Sequence, residues 1–250
     1  MTRWPRSFTA SAPVTPTQGT HLRQPAEWSG GRGYHPLMDR LFGRPRPTEN
    51  QQRRLPPGQY LTEKWPVLHY GTVPRTDLRT WDLRVFGAVE NPVTLSWEEF
   101  QALPHATVHT DIHCVTRWSM LDADFGGVSL GVLIALVRPA PSARFVVAHC
   151  EQGYATNVPL DALRDADVLL ADSHAGKPLE PDHGWPLRLL VPKLYLWKSA
   201  KWLNRIEFIR DYADGYWETY GYHERAEVWD EERFKGRSGK HSKRTAYGTA

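Results

Sequence analysis

A period-two alternation of residues leads into a cysteine near the middle of the chain. Alternate positions from Ala106 to Cys114 fall on one face of an extended segment, which predicts a strand over this stretch. A polar segment follows at once, so Cys114 stands where a rigid element meets a loop. Arg117 lies three residues further on, and a nearby cation favours the thiolate form of a cysteine. Because thiolates suit soft transition metals, Cys114 is a candidate metal ligand; the alternative is an inert core thiol.

A second stretch combines a short apolar strand with basic residues. Residues 187–191 are predicted to form a strand that ends at a proline, and the segment that follows carries Lys198 and Lys201. Arg188 lies within this strand, and His183 precedes it. Taken alone, these residues have ordinary interpretations: a structural ion pair for Arg188, a turn for His183 and solvated side chains for the two lysines.

Together the two stretches resemble the molybdopterin-dependent oxidoreductases of the sulfite oxidase superfamily. The carrying motifs are His-Cys-Val-Thr-Arg-Trp-Ser at 113–119 and the run from 183 to 202, in this order. The resemblance covers residues 56–234 and is greater to compact bacterial members that consist of the catalytic domain alone. It implies an α+β fold, mainly β with short helices, of the sulfite oxidase catalytic type. It also implies a molybdenum–molybdopterin cofactor.

The resemblance assigns site residues by position. It implies one protein ligand to molybdenum, the thiolate of Cys114, and makes Arg117 the second catalytic candidate. The positions that match cofactor contacts of the family are His69, Tyr70, Cys114, His149, His183, Arg188, Ser199, Ala200 and Lys201. Arg188 and Lys201 would contact the cofactor, whose phosphate needs paired cations. Arg117 has three open roles: contact with the pterin, binding of an anionic substrate, or an ion pair with Asp111 or Asp122.

The implied reaction is a two-electron oxygen-atom transfer, either reduction of an S- or N-oxide or oxidation of a sulfite-like substrate. Sulfite oxidases place an arginine just before the pair that matches His69 and Tyr70, and this chain has Leu68 there. That departure favours an oxide reductase, although Arg117 could replace the missing charge. No haem domain is expected, so a separate electron-transfer protein would exchange electrons with the site.

Three other hypotheses stay open at this point. The chain could be a non-catalytic cofactor-binding or interaction protein on the same scaffold. The pairs His113-Cys114 and His149-Cys150 could form a Cys2His2 zinc site, although adjacent strand residues point to opposite faces. A cysteine hydrolase could use Cys114 with a nearby histidine.

Composition limits the possible domain organisation, binding partners and cellular location of the protein. Residues 1–55 are poor in aliphatic residues and are predicted to be disordered or an extended arm, residues 56–234 form the oxidoreductase domain, and residues 235–250 form a flexible basic tail. The net charge of +3 argues against a nucleic-acid surface, and no segment is long enough for a membrane span. Two cysteines and an N-terminus without a signal core predict a cytoplasmic protein.

Local patterns predict several elements. Ser96 and Glu99 form a capping box for a short helix, and Ser129 caps a helix over residues 130–137. Residues 118–127 are predicted as a loop. Trp118 and Trp197 flank the two motif stretches and are candidates for lining a substrate funnel.

Overall fold

A computed structural model describes residues 46–236 of the chain. The helices are α1 (Glu49–Arg53), α2 (Trp97–Gln101), α3 (Leu130–Val137) and α4 (Tyr216–Thr219), with 3-10 turns at Glu151–Gly153, Ala162–Arg164, Pro181–His183 and Leu196–Lys198. The strands are β1 (Tyr60–Leu61), β2 (Asp82–Gly87), β3 (Val93–Ser96), β4 (His105–His113), β5 (Trp118–Ser129), β6 (Phe145–Cys150), β7 (Ala155–Pro159), β8 (Leu169–His174), β9 (Lys177–Pro178), β10 (Arg188–Leu190) and β11 (Leu203–Ile209).

The strands form two sheets. The first has the order β1-β5-β8-β10, with β4 paired to β5 and β9 paired to β8, and the second has the order β3-β2-β11-β6-β7. The pairs β1/β5 and β2/β11 are parallel, and the others are antiparallel. The largest cluster of buried apolar residues contains Leu83 and Phe208 from the second sheet and Leu170 and Leu189 from the first. The two sheets therefore share one core.

The helices begin where the local sequence predicts. Ser96 accepts from the Glu99 amide while the Glu99 carboxylate accepts from the Ser96 amide, so the predicted capping box forms at α2. The Ser129 side chain caps α3, which ends at Arg138 in the left-handed conformation. Within the described part of the chain, no helix has the length and apolar character needed to cross a membrane.

The prediction of a loop over residues 118–127 is wrong, because β5 runs through all of it. Phe125 is buried there while Asp124 is exposed, a strand alternation that the acidic residues and the two glycines had concealed. Pairing with β4 and β8 orders the segment. Gly127 allows the close approach of β8, since a Cβ atom at this position would lie 2.1 Å from the Leu170 carbonyl oxygen.

The folded part extends to the N-terminal side of residue 56. Thr48 caps α1 with a capping box, and the Arg54 guanidinium then binds Asp111 and Asp122 with Nη2–oxygen distances of 2.5 and 2.7 Å. Arg54 and Leu55, which the composition assigned to an arm, thus contact the β4–β5 hairpin through these ion pairs and through the buried Leu121. The predictions for residues 1–45 and 237–250 lie outside the described residues.

Candidate active site

Cys114 lies in the tight turn that joins β4 to β5. Its amide donates to the Trp118 carbonyl, and its own carbonyl accepts from the Arg117 amide, with both N–O distances at 2.9 Å. Arg117 adopts a left-handed backbone with φ of 81°, which is uncommon for a residue with a side chain and costs about 1–3 kcal/mol. The Thr116 hydroxyl donates to Cys114 Sγ at 3.1 Å. The turn therefore fixes both the backbone and the sulfur of Cys114.

Two distant residues brace this turn from outside the hairpin. Gln59 Nε2 donates to the Cys114 carbonyl at 3.0 Å. Arg233 Nη1 donates to the Val115 carbonyl at 2.7 Å, and its Nη2 lies 3.4 Å from Gln59 Oε1. The Arg233 guanidinium also lies 4.7 Å from the centre of the Tyr195 ring. Arg233 is only 8% exposed, so this brace is part of the interior.

Cys114 lines a cavity of about 330 Å³. The side chains that form its wall come from the segment after β1, the Cys114 turn with the start of β5, the residue before β7, β10 with the segment after it, and the C-terminal part of the domain: Trp65, Pro66, Leu68, His69, Tyr70, Cys114, Val115, Thr116, Trp118, Tyr154, Arg188, Leu196, Trp197, Ser199, Ala200, Lys201, Trp202, Trp217 and Tyr222. Both tryptophans predicted to line a funnel, Trp118 and Trp197, are among them. The wall is mainly aromatic and apolar, with a few polar groups.

Two cations of the cavity wall have no carboxylate partner within residues 46–236. Arg188 is 2% exposed, and its Nη1 and Nη2 donate to the carbonyls of His183 and Ser199, each at 2.9 Å. Lys201 Nζ donates to the Asp182 carbonyl at 2.6 Å. Burial lowers the pKa of Arg188 to about 10, and burial together with Arg188 lowers the pKa of Lys201 to about 7. An anion in this region would stabilise both cations.

The remaining predicted contacts on the wall hold the backbone in place or border the opening. Ser199 Oγ accepts from the Val191 amide at 2.9 Å, and the Ala200 carbonyl accepts from the Leu189 amide at 2.9 Å. His69 packs edge-on against Trp202, with ring centres 5.3 Å apart. Tyr70 is exposed and packs on Tyr216 at 4.3 Å.

Three predicted site residues do not line the cavity. Arg117 Nη1 and Glu231 Oε1 both lie beside Gly58. The ion pair that Arg117 could have made with Asp111 or Asp122 is made by Arg54 instead. His149 pairs with Glu207 at 2.9 Å, away from the wall. His183 stacks on Trp65 with ring centres 3.9 Å apart, directly behind the wall.

The sequence analysis missed several residues of the site. Tyr154, Trp217 and Tyr222 line the cavity, and Gln59 and Arg233 brace the Cys114 turn. The aromatic richness after residue 212 was a usable signal for Trp217 and Tyr222. For Gln59 and Arg233 there was no local signal, because their partners are more than fifty residues away along the chain.

The residues present fit an anionic, metal-bearing cofactor. Within the described residues, three buried donors on the wall have no hydrogen-bond partner: Arg188 Nε and the indole nitrogens of Trp118 and Trp197. Buried donors of this kind normally have an acceptor, and the cations beside them call for a negatively charged one. Cys114 adds a single sulfur ligand. Phosphate, pterin heteroatoms and a soft metal would satisfy this set of groups.

The two His-Cys pairs do not converge on a zinc site. Within residues 46–236, no group of three or more His, Cys, Asp and Glu side chains is placed to hold a metal ion. His113 Nδ1 lies 2.8 Å from Ser119 Oγ, and His149 pairs with Glu207. Neither imidazole therefore offers Cys114 the partner that a zinc site or a cysteine hydrolase would need.

Comparison with known proteins agrees with this geometry. The family model described as "Oxidoreductase molybdopterin binding domain" matches residues 70–217. The uncharacterized oxidoreductase YuiH of Bacillus subtilis is 44% identical over 194 residues, which are 77% of this chain and 98% of that protein. The protein-methionine-sulfoxide reductase catalytic subunit MsrP of Campylobacter jejuni is 29% identical over 57% of this chain and 53% of its own length.

A solved structure shows the same fold. The sulfane dehydrogenase SoxCD of Paracoccus pantotrophus superposes with a TM-score of 0.51 at 19% identity, over 76% of this chain and 58% of that one. The sulfite oxidase-type α+β fold, mainly β with short helices, is therefore confirmed. The family match also confirms molybdopterin with molybdenum as the cofactor. The chain belongs to the molybdopterin-binding oxidoreductase family of the sulfite oxidase superfamily, as a molybdenum-dependent enzyme.

Proposed function

We propose that the protein reduces an uncharged organic S- or N-oxide by two-electron oxygen-atom transfer, with Cys114 as the protein ligand to molybdenum. The observation that carries the proposal is the placement of Cys114: a lone thiol, fixed in a braced turn, on the wall of a mainly aromatic cavity. A single soft ligand suits a metal whose other ligands belong to the cofactor and the substrate.

The lining of the cavity supports a neutral substrate over an oxyanion. Leu68 stands where sulfite oxidases have an arginine, and it lines the cavity. Arg117, which could have replaced that charge, lies beside Gly58 and outside the wall. The methionine sulfoxide reductase relative is named for an oxide substrate, which agrees with this choice.

Each group of residues has a defined task in this mechanism. Arg188 and Lys201 would hold the anionic part of the cofactor, and Cys114 would hold its metal, assisted by the hydroxyl of Thr116. When bound, the cofactor supplies two-electron oxygen-atom transfer at molybdenum. Trp197, with Trp217 and Tyr222, would keep water out and bind the apolar part of the substrate. The reaction balances as oxide plus two electrons and two protons to the reduced product and water.

The first test is a substrate screen on protein shown to contain molybdenum and pterin. Reduced methyl viologen supplies electrons for dimethyl sulfoxide, methionine sulfoxide and trimethylamine N-oxide, and sulfite is tested in the oxidative direction. We expect oxide reduction to exceed sulfite oxidation. A preference for sulfite would reverse the proposed direction, and a fully loaded protein that turns over none of these compounds would contradict the proposed substrate class.

A matched pair of variants tests the choice of substrate. Leu68→Arg places a cation on the cavity wall and should raise kcat/KM for sulfite relative to that for methionine sulfoxide. Val67→Arg is the control, because Val67 is similarly exposed, 45% against 52%, but does not line the cavity. The same change in both variants would show that the cation acts through general charge rather than through the cavity.

A further inference from the structure

A second cleft lies next to the cofactor cavity and is rich in arginine. It has a volume of about 510 Å³, and its charged lining consists of Arg75, Arg84 and Arg205 with Asp82 and Glu151. Arg84 and Arg205 come from neighbouring strands of the second sheet, β2 and β11. No residue of the Cys114 turn borders this cleft.

The charges in this cleft leave two arginines without a carboxylate. Arg84 is paired with Asp82 at 2.9 Å. Arg75 and Arg205 are both exposed, and no ion pair joins either of them to another residue of the described range 46–236. Arg205 is also in register with Arg84 on the parallel strand beside it, so two like charges stand side by side. Such a pair is unfavourable by itself and becomes favourable when an anion binds across it.

The cleft and the cofactor cavity share a wall. The Glu151 amide donates to the Trp202 carbonyl at 2.9 Å, and Cys150 is the register partner of Leu203. Cys150 and Glu151 border the cleft, while Trp202 borders the cavity. A redox centre held over the cleft would therefore be separated from the cofactor by a wall only a few residues thick.

We propose that this arginine cleft is the docking site for the acidic face of an electron-transfer protein. The inference rests on the proposed function, because oxide reduction consumes two electrons that must come from outside the cofactor cavity. Arg75 and Arg205 provide planar donors that bind carboxylates through two parallel hydrogen bonds. Attraction between an arginine-rich cleft and an acidic face would also speed the encounter of the two proteins.

The test compares two reductants on the cofactor-loaded enzyme. Reduced methyl viologen is a small donor that needs no docking site, and a reduced flavodoxin with an acidic surface is the protein donor. The double variant Arg75→Gln/Arg205→Gln should lower kcat/KM for flavodoxin by roughly tenfold or more and weaken its salt dependence, with viologen-driven turnover unchanged. The control Arg79→Gln/Arg138→Gln removes two exposed arginines outside the cleft and should leave both rates unchanged.

Each other outcome decides against the docking site. An equal loss in the control variant would show a general charge effect. An unchanged flavodoxin rate in the cleft variant, or a wild-type enzyme that accepts electrons from viologen but not from flavodoxin, would overturn the proposal. The proposal would also fail if calorimetry showed that the wild type binds inorganic phosphate and the cleft variant does not, while the variant keeps the wild-type flavodoxin rate. The cleft would then be a site for a small anion. Failure of viologen-driven oxide reduction would instead contradict the proposed function.

Discussion

The chain carries the dipeptide His-Cys at the ends of two strands, and the two copies have different surroundings. His113-Cys114 lies at the end of β4 and His149-Cys150 at the end of β6. Cys114 follows its strand into a turn and lines the cavity, whereas Cys150 stays paired to β11 and belongs to the largest core cluster. Burial raises the pKa of both thiols, and the sulfur of Cys114 also receives a hydrogen bond from the Thr116 hydroxyl.

The difference shows that an identical dipeptide acquires its chemistry from what surrounds the turn that follows it. After Cys114 the chain reverses into β5, with Arg117 in the left-handed conformation, and Cys114 lines the cavity. After Cys150 the chain also reverses, through a 3-10 turn into β7 with Gln152 in the left-handed conformation, but Cys150 packs into the largest core cluster and is only 2% exposed. The first thiol is therefore available to a cofactor, and the second contributes mainly to packing.

The largest expected effect on turnover comes from making the same substitution at each of the two cysteines. Cys114→Ser should reduce turnover to the assay background, because a hydroxyl is a poor ligand for a soft metal. Cys150→Ser should keep turnover within about twofold and lower the free energy of unfolding by about 1–3 kcal/mol, since it buries a hydroxyl in the core. Turnover and denaturant unfolding are measured on both. Full activity in Cys114→Ser would contradict the assignment of Cys114 as the metal ligand. Loss of activity in a folded Cys150→Ser would show that Cys150 also has a functional role.

An intermediate effect on turnover is expected from Arg233, which braces the Cys114 turn. Arg233→Lys replaces a planar guanidinium, which donates to the Val115 carbonyl and approaches Gln59, by a single ammonium group. Turnover should fall by roughly 10–100-fold, a range typical of residues that orient a metal ligand. Molybdenum X-ray absorption should report a less ordered protein sulfur at the same cofactor content.

The matched control is Arg225→Lys on the same C-terminal segment. Arg225 pairs with Asp161 at 2.9 Å and with Glu227 at 3.1 Å, and neither of these carboxylates belongs to the Cys114 turn. Turnover and the absorption spectrum should be those of the wild type. If Arg233→Lys gave the wild-type absorption spectrum and lost only as much stability as Arg225→Lys, the role of Arg233 would be structural alone.

Elements of the fold could be predicted from the sequence where the interacting residues are close together along the chain. The capping box at α2 and the cap of α3 involve neighbours within three residues, so the pattern alone located them. The strand before Cys114 was predictable from its alternation. β5 was not, because its acidic residues and glycines are typical of loops, and only pairing with β4 and β8 makes it a strand.

The site divides in the same way. Cys114, Arg188 and Lys201 were found because they belong to short motifs of the family, and the structure brings all three to one cavity. Arg233 was not found, since it contacts a residue 118 positions earlier in the chain. His149 illustrates the opposite failure: it matches a family position only loosely, and the structure pairs it with Glu207, away from the cavity wall.

The smallest expected effect concerns acid sensitivity near the Cys114 cavity, where His183 stacks on the wall residue Trp65. Burial, with Lys201 and Arg188 close by, lowers the pKa of His183 from 6.5 to about 4. Between these pH values the unfolded chain binds a proton at His183 that the folded chain does not, so the free energy of unfolding rises with pH across the window. His183→Asn should reduce this rise in the cofactor-free protein, as measured by denaturant unfolding at pH 4.5, 5.5 and 6.5; the part that remains includes His113, whose pKa burial also lowers to about 4. A bound anion would stabilise a protonated His183 in the folded protein, so loading the cofactor should also reduce the rise of the free energy of unfolding with pH. If neither the variant nor the cofactor changed this pH dependence, the cations of the cavity wall would not act on His183.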